Sequence, residues 1–129
     1  MRVFIADDSQ VVVERLSDLL KEVPTVQLVG SAYDVPQAIR SILDTKPDAV
    51  ILDLHMPGGS GLEVLRAIRP THPSLCVLVC TNFPYPQSRE ECIAAGANYF
   101  LDKSAEFEKL PAIFRELTAH EKKAPSVTR

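Results

Sequence analysis

The chain has 129 residues, of which 46% are hydrophobic and 24% are charged, and its formal net charge is -3. This length suits one domain with a sizeable core. The balance of charges and the lack of a basic block argue against nucleic-acid binding. No apolar run is long enough to cross a bilayer, and Met1–Ile5 leads directly into acidic residues, unlike a signal peptide. The composition therefore predicts a cytoplasmic protein that binds neither nucleic acid nor membrane.

Short apolar runs alternate with helical patterns along the whole chain. The runs are rich in β-branched and bulky residues, which is typical of buried strands. The predicted strands are Arg2–Ala6, Val26–Ala32, a third that leads to Asp53, a fourth that leads to Thr81, and a fifth that ends near Asp102. Because strands and helices alternate, the sequence predicts βα units and a parallel sheet.

Capping residues and prolines define the first two predicted helices. Ser9 and Asp34 are predicted N-caps, and Pro24 is expected to end the first helix. Apolar residues at helical spacing predict the buried faces. These are Val12, Leu16, Leu19, Leu20 and Val23 in the first helix, and Ala38, Ile39, Ile42 and Leu43 in the second.

The remaining loops and helices are defined by turn residues. Segment 55–61 is dense in them and is predicted to be a mobile loop before a helix that begins at Leu62. The fourth helix is predicted at about Gln87–Ala95, with Gly96 as its C-cap. Pro84 and Pro86 stiffen the linker before it, which predicts a helix that is short or begins late and a loop that moves little.

The last predicted helix covers about Glu106–His120. Phe107, Leu110, Ile113, Phe114 and Leu117 are expected to point inward, and Pro111 predicts a late start or a kink. Residues 1–120 therefore form the predicted domain, and residues 121–129 have little to bury and are predicted to be a disordered tail.

The cysteines and histidines do not predict a structural zinc site. The three cysteines, Cys76, Cys80 and Cys92, contain no CxxC pair and are expected to be small core residues. The three histidines are scattered along the chain and supply no ligands in register.

Five polar residues follow the predicted strands at their carboxyl ends: Asp7, Asp8, Asp53, Thr81 and Lys103. In a parallel α/β sheet, ligand sites form at this edge. Repulsion among three carboxylates there, together with partial burial, would raise at least one pKa unless a cation lies between them. Mg²⁺ favours such oxygen ligands, and a carboxylate can be the nucleophile in phosphoryl transfer. Each residue alone is ordinary at a strand end or helix cap, so the joint arrangement carries the prediction.

These residues and the motifs around them resemble the receiver domain of bacterial two-component response regulators. The motifs are the pair Asp7-Asp8, the segment 53–57 (DLHMP) with Gly61-Leu62 after it, Thr81, Gly96-Ala97, and the segment 100–103 (FLDK). The resemblance covers the chain to about His120. It implies a doubly wound α/β fold of flavodoxin-like (βα)5 topology, with strand order 2-1-3-4-5.

The resemblance also implies a role for each site residue. Asp53 would accept a phosphoryl group from a histidine kinase or a histidine phosphotransfer protein. Asp8 and Asp53 would bind Mg²⁺ directly, the backbone carbonyl of His55 would be a further ligand, and Asp7 would act through a metal-bound water. Lys103 would pair with the carboxylate and then with the phosphoryl group.

A switch and an output surface are implied in the same way. Thr81 would turn inward on phosphorylation, and Phe100 would occupy the aromatic position coupled to it. A downstream protein would bind the face formed by helix four, strand five and helix five, and the domain would be a monomer or a weak homodimer. It would be a stand-alone receiver, with only autocatalytic phosphorylation and dephosphorylation.

Three positions depart from the family pattern or invite a sharper hypothesis. Phe100 stands where tyrosine is frequent, so any coupling to it must be steric. Ser104 follows Lys103 where many relatives have proline after a cis bond, so the bond here is either trans or held cis by local contacts. The side chain of His55 could affect the lifetime of the phosphorylated state, but we favour the interpretation that only its backbone matters.

Two other functions remain as alternatives at this point. A metal-dependent phosphatase with an aspartyl-phosphate intermediate could share the topology, although the small size and the adjacent Asp7-Asp8 pair argue against it. A phosphorylation-independent interaction module is opposed by the intact set of Asp8, Asp53, Thr81 and Lys103.

Overall fold

The structure is a computed structural model that describes the backbone of residues 1–127 and the side chains of residues 1–120. Its core is a parallel five-stranded sheet. The strands are β1 (Arg2–Ala6), β2 (Gln27–Ala32), β3 (Ala49–Leu52), β4 (Cys76–Thr81) and β5 (Tyr99–Asp102), in the spatial order β2-β1-β3-β4-β5. The predicted fold class and strand order are therefore confirmed.

Five α-helices connect and follow the strands. They are α1 (Gln10–Leu20), α2 (Val35–Thr45), α3 (Gly61–Ile68), α4 (Pro86–Ala94) and α5 (Leu110–Val127). The two predicted N-caps are confirmed, because the hydroxyl of Ser9 accepts a hydrogen bond from the Val12 amide (3.3 Å) and the carboxylate of Asp34 accepts one from Gln37 (2.8 Å). No helix in the described part of the chain is long and apolar enough to cross a membrane.

The sheet separates two hydrophobic layers. Alternate residues of each strand point to opposite faces, so Val50 and Leu52 pack with α2, α3 and α4, whereas Ala49 and Ile51 pack with α1 and α5. Because both faces are covered, the inner strands β1, β3 and β4 are apolar over most of their length, as the continuous runs in the sequence predicted, whereas the edge strand β2 is more polar and less buried.

Two details of the predicted helical faces are wrong. Helix α1 ends at Leu20, and Val23 is buried in the turn that follows it. In α2 the buried residues are Val35, Ala38 and Ile42, whereas Leu43 is 38% exposed. One residue corresponds to about 100° of rotation around a helix, so Leu43 turns away from the stripe that Ile42 defines.

The predicted mobile loop at 55–61 contains regular structure. His55–Met56 pairs with Gly59–Ser60 as a short antiparallel ribbon. Gly58 and Gly59 have φ angles of 86° and 144°, which a residue with a side chain adopts with difficulty. The hydroxyl of Ser60 then accepts a hydrogen bond from the Leu62 amide (3.1 Å) and caps α3.

The proline and glycine predictions in the second half agree with the structure in part. Helix α4 is short, with nine residues, and begins at Pro86, one residue before the predicted start. Its C-cap is Ala95, and Gly96, the predicted cap, is the next residue, with a φ angle of 107°. A 3-10 turn at Phe107–Lys109 precedes α5, so the α-helix begins late, with Pro111 in its first turn. It continues past the predicted end at His120. The predicted disordered tail lies outside the residues whose side chains are described.

Candidate functional site

The carboxyl ends of the strands bring the predicted site residues together. Asp7, Asp53 and Lys103 each follow a strand, and each donates its backbone N–H to a neighbouring strand. The acceptors are the carbonyls of Ala32 (3.0 Å), Ala6 (2.9 Å) and Thr81 (2.8 Å), respectively. The sheet therefore fixes the backbone from which each side chain extends.

Lys103 is the cation at the centre of this edge. Its Nζ donates a 2.7 Å hydrogen bond to Oδ2 of Asp7 and lies 3.3 Å from Oδ2 of Asp53, and all three side chains are buried. Burial lowers the pKa of Lys103, but the hydrogen bond that Lys103 donates to Asp7 and the charges of both carboxylates outweigh it, so the pKa is raised overall. Lys103 is therefore an ammonium ion at neutral pH.

For Asp53, burial outweighs the attraction of the neighbouring opposite charge. Burial raises the pKa of its carboxyl group, the nearby Lys103 lowers it, and the charge of Asp7 raises it further; the net direction is upward. The sequence predicted a raised pKa through repulsion between carboxylates and partial burial. The rise is present, and burial is a larger cause of it than the Asp7 charge.

The acidic cluster has the donor set of a divalent cation site. Asp7, Asp8 and Asp53 each offer a carboxylate oxygen, and these oxygens lie within 4.8 Å of one another. Among the described residues, the exposed Asp8 carboxylate has no hydrogen-bond or ion-pair partner. Three carboxylates face one ammonium group, and their all-oxygen donor set is the one that Mg²⁺ prefers. The residues therefore fit the predicted magnesium site.

A glycine after the ribbon lets the chain pass behind Asp53. The Gly61 amide donates to the carbonyl of Leu54 (2.9 Å). A Cβ atom at Gly61 would overlap the backbone carbonyl oxygen of Asp53. Any larger residue would push the Asp53 backbone out of place. In the sequence, Gly61 is recognisable only as part of a motif, because this contact joins segments that a local pattern does not relate.

Thr81 and Phe100 are both buried beside the site. The Thr81 hydroxyl oxygen accepts a 3.1 Å hydrogen bond from the backbone N–H of Phe83. Phe100 pairs with Val79 in the sheet, two residues before Thr81, and its ring packs in the apolar layer that contains α4. The guanidinium carbon of Arg89 lies 6.0 Å from the centre of this ring. The Phe100 ring is therefore buried against the sheet and does not point into solvent.

His55 borders the site through its backbone and its ring. Its amide N–H donates to Oδ1 of Asp53 (3.3 Å). Its exposed ring meets Phe83 edge to face, with 5.0 Å between ring centres, and Phe83 stacks on Tyr85 at 6.2 Å. Phe83 is not among the site residues predicted from the sequence, where it is recognisable only as an apolar residue in a proline-rich linker. His55 and Phe83 also line the cavity that opens onto Asp53 and Lys103.

The peptide bond after Lys103 resolves the alternative that the sequence left open. No cis peptide bond occurs in the described residues, so the bond between Lys103 and Ser104 is trans. The carboxylate of Asp102 accepts hydrogen bonds from the amide (2.9 Å) and the hydroxyl (2.7 Å) of Ser104.

Comparisons with known proteins agree with this geometry. Residues 3–115 match the family model described as the response regulator receiver domain. The chain is 30% identical over 119 residues to the DNA-binding transcriptional activator DevR/DosR of Mycobacterium tuberculosis, covering 92% of this chain and 55% of that protein. It is 32% identical over 108 residues to the response regulator GacA of Pseudomonas viridiflava, covering 81% of this chain and 49% of that one. The chain thus spans about half the length of these relatives.

Solved structures show the same relationship. The signal receiver domain of the response regulator NarL from Mycobacterium tuberculosis superposes with a TM-score of 0.82 at 28% identity, covering 90% of this chain and 94% of that one. The match extends over nearly all of both chains, so the whole described fold, and not only the site, is shared.

Proposed function

The chain belongs to the response regulator receiver domain family, a family of phosphoacceptor signalling switches, and from that premise we propose that Asp53 is its phosphoacceptor. The observation that carries this assignment is the placement of Asp53. It is a buried carboxylate 3.3 Å from the Lys103 ammonium and within 4.8 Å of two further carboxylates. Asp7 is already hydrogen-bonded to Lys103 and Ser9, which leaves Asp53 as the buried carboxylate with the weaker contacts.

The proposed reaction is phosphoryl transfer from a phosphohistidine. An oxygen of Asp53 attacks the phosphorus atom, a P–O bond forms as the P–N bond breaks, and the imidazole leaves with a proton. Lys103 offsets the negative charge on the transferred group, since its Nζ is within reach of an oxygen on Asp53. The buried Lys103 is held by Asp7, so little reorganisation is needed during transfer.

Mg²⁺ would be held by Asp8, by Asp53 and by the backbone carbonyl of His55, with Asp7 acting through a bound water. The ion would neutralise charge on the phosphoryl oxygens. The exposed Asp8 carboxylate supports this role, because no described residue pairs with it and it can bind a cation without first breaking an ion pair there.

The proposed signal passes from the phosphoryl group through Thr81. A phosphoryl group adds about 1.5 to 2 negative charges and new acceptor oxygens. The Thr81 hydroxyl, which now accepts from the Phe83 amide, would donate to one of these oxygens. The loop between β4 and α4 would follow by a small movement, since Pro84 and Pro86 stiffen it. Phe100 is already buried, so any response of its ring would be a change in packing.

The proposed partners are a histidine kinase or a phosphotransfer protein on one side and a downstream protein on the other. The downstream protein would bind the face of α4, β5 and α5. Exposed apolar residues at α4 support this choice, since Tyr85 and Ile93 are 61% and 44% exposed. A cytoplasmic location stays a prediction.

The proposal is tested by incubating the protein with Mg²⁺ and acetyl phosphate and measuring its intact mass. We expect a single phosphoryl adduct that is lost with time. Asp53→Ala should abolish it, whereas the matched variant Asp44→Ala, at an exposed aspartate on α2, should keep it. An adduct that persists in Asp53→Ala would contradict the assignment. Sustained hydrolysis of a phosphomonoester would instead indicate a phosphatase.

A further inference from the structure

The turn that follows β5 contains a hydrogen-bond network that ends at Lys103. Lys103 has a long side chain with four rotatable bonds, yet its Nζ must lie between Asp7 (2.7 Å) and Asp53 (3.3 Å). The backbone supplies one restraint, the hydrogen bond from the Lys103 amide to the Thr81 carbonyl (2.8 Å). The direction of the side chain also depends on the residues on either side of it.

Asp102, the residue before Lys103, is held through all of its polar groups. Its carboxylate accepts from the amide (2.9 Å) and the hydroxyl (2.7 Å) of Ser104. Its own amide donates to Oε1 of Glu106 (2.9 Å). Its carbonyl accepts from the amides of Ala105 (3.3 Å) and Glu106 (2.8 Å). Residues 102–106 thus form a closed turn, and Lys103 lies inside it.

Glu106 completes the turn from its far end. Its second carboxylate oxygen lies 3.3 Å from Nζ of Lys109, which belongs to the 3-10 turn before α5. The pKa of Glu106 is lowered chiefly by the Asp102 amide, and the pKa of Asp102 chiefly by the Ser104 hydroxyl. Both acceptors are therefore charged at neutral pH, where charge-assisted hydrogen bonds are the stronger ones.

We propose that Asp102, Ser104 and Glu106 are positioning residues for Lys103, and that the closed turn sets the direction in which the ammonium group meets the phosphoryl group. None of the three touches the reacting atoms. They act by fixing the backbone on both sides of Lys103, so their contribution should depend on the presence of the lysine. This inference rests on the proposed function of Asp53.

The test is a double-mutant cycle on the rate of phosphoryl uptake from acetyl phosphate. Asp102→Ala removes the acceptor for both Ser104 donors, and we expect it to slow uptake about tenfold, because small misplacements of a catalytic group have large effects on rate. Asp102→Asn keeps an oxygen acceptor at the same place and should stay within about twofold of the wild type.

The background variant Lys103→Ala separates positioning from folding. If the turn acts through Lys103, Asp102→Ala should slow uptake no further in that background. An equal slowing in both backgrounds, or a wild-type rate in Asp102→Ala, would overturn the proposal. The affinity for Mg²⁺, measured by calorimetry, should be the same in the wild type and Asp102→Ala, because the turn supplies no ligand.

A milder variant keeps the test decisive if Asp102→Ala does not fold. Ser104→Ala removes only the hydroxyl donor and leaves the amide donor in place, so we expect a slowing of about threefold, which Ser104→Thr should restore. A wild-type rate in a folded Ser104→Ala protein would then overturn the proposal. Failure of the proposed function has a different signature, namely no adduct in the wild type.

Discussion

The two edges of the sheet satisfy their polar groups in opposite ways. At the amino edge, cations bind neutral acceptors, as Arg2 does with the carbonyls of Thr45 (2.7 Å) and Lys46 (2.8 Å). The Arg69 guanidinium donates to the carbonyls of His72 (3.0 Å), Leu75 (2.7 Å) and Gly96 (2.6 Å) and to the side chain of Asn98 (3.2 Å). At the carboxyl edge, three carboxylates face one lysine. Acceptors of the protein itself surround Arg69 at the first edge, although its buried Nε has no hydrogen-bond partner among the described residues. The second edge instead keeps an excess of negative charge that a cation can neutralise.

This difference separates stability from function. Arg69 joins the end of α3 and the nearby start of β4 to the turn before β5, which lies 27 residues further along the chain. Gly96 leaves space for it, since a Cβ there would lie 2.8 Å from Nε of Arg69. Changes at the amino edge should therefore weaken the fold, whereas removal of a charge at the carboxyl edge should strengthen it.

The largest expected effect on stability is that of Arg69→Met. This change keeps the apolar stem but leaves several carbonyls without a donor, and we expect a loss of about 3 kcal/mol in the free energy of unfolding. Urea denaturation followed by circular dichroism measures it. Arg66→Met, an exposed arginine on the same helix, is the matched control and should change stability little.

The same variant tests whether the two edges are independent. Arg69→Met should bind Mg²⁺ with wild-type affinity while it remains folded, because Arg69 lies at the opposite edge from Asp8 and Asp53. A large change in affinity without unfolding would show that the two edges are coupled and that the comparison is wrong.

An intermediate effect of opposite sign is expected from Asp53→Asn without Mg²⁺. The raised pKa of Asp53 means that the folded chain holds this proton more tightly than the unfolded chain does. Stability is therefore lost as the pH rises from the unfolded pKa through the folded one, and ionised Asp53 destabilises the fold at pH 7. We expect Asp53→Asn to raise the melting temperature by a few degrees at pH 7.

The pH dependence gives that prediction its specific signature. The advantage of Asp53→Asn should disappear below about pH 4, where Asp53 is protonated in both states. Asp44→Asn, at an exposed site, should show no comparable gain. Added Mg²⁺ should stabilise the wild type more than Asp53→Asn. Without Mg²⁺, a loss of stability in Asp53→Asn at pH 7 would contradict the idea of an unbalanced acidic edge.

The features that the sequence predicted are those set by local pattern. The strand runs, the caps at Ser9 and Asp34 and the late start of α5 depend on neighbours a few residues away. The site was predictable for a related reason, because parallel strands bring their carboxyl ends to one edge whatever the loops between them do. Asp7, Asp53 and Lys103 therefore meet as expected.

The features that the sequence did not predict depend on contacts between distant segments or on small rotations. Arg69 gives no sign that it will bind Gly96, which lies 27 residues away. Leu43 belongs to an apolar pattern, yet one step around α2 exposes it. The turn residues of segment 55–61 indicated a loop, but they also suit the ribbon that precedes α3. Pattern alone does not distinguish these outcomes.

The smallest expected effect is that of His55→Ala on the lifetime of the phosphorylated protein. The proposed roles of His55 belong to its backbone, since its amide contacts Asp53 and its carbonyl is the expected metal ligand. Alanine keeps both groups. We therefore expect the rate of phosphoryl loss to change by less than about twofold, which corresponds to about 0.4 kcal/mol in the barrier.

The ring contact between His55 and Phe83 makes this prediction open to contradiction. If the ring pair, with centres 5.0 Å apart, shields the phosphoryl group from water, His55→Ala and Phe83→Ala should each accelerate its loss. The double variant should then be no faster than either single variant. Intact-mass time courses of the four proteins measure this. If all three variants lose the phosphoryl group at the same rate, well over twofold faster than the wild type, the His55 side chain and not only its backbone controls the lifetime.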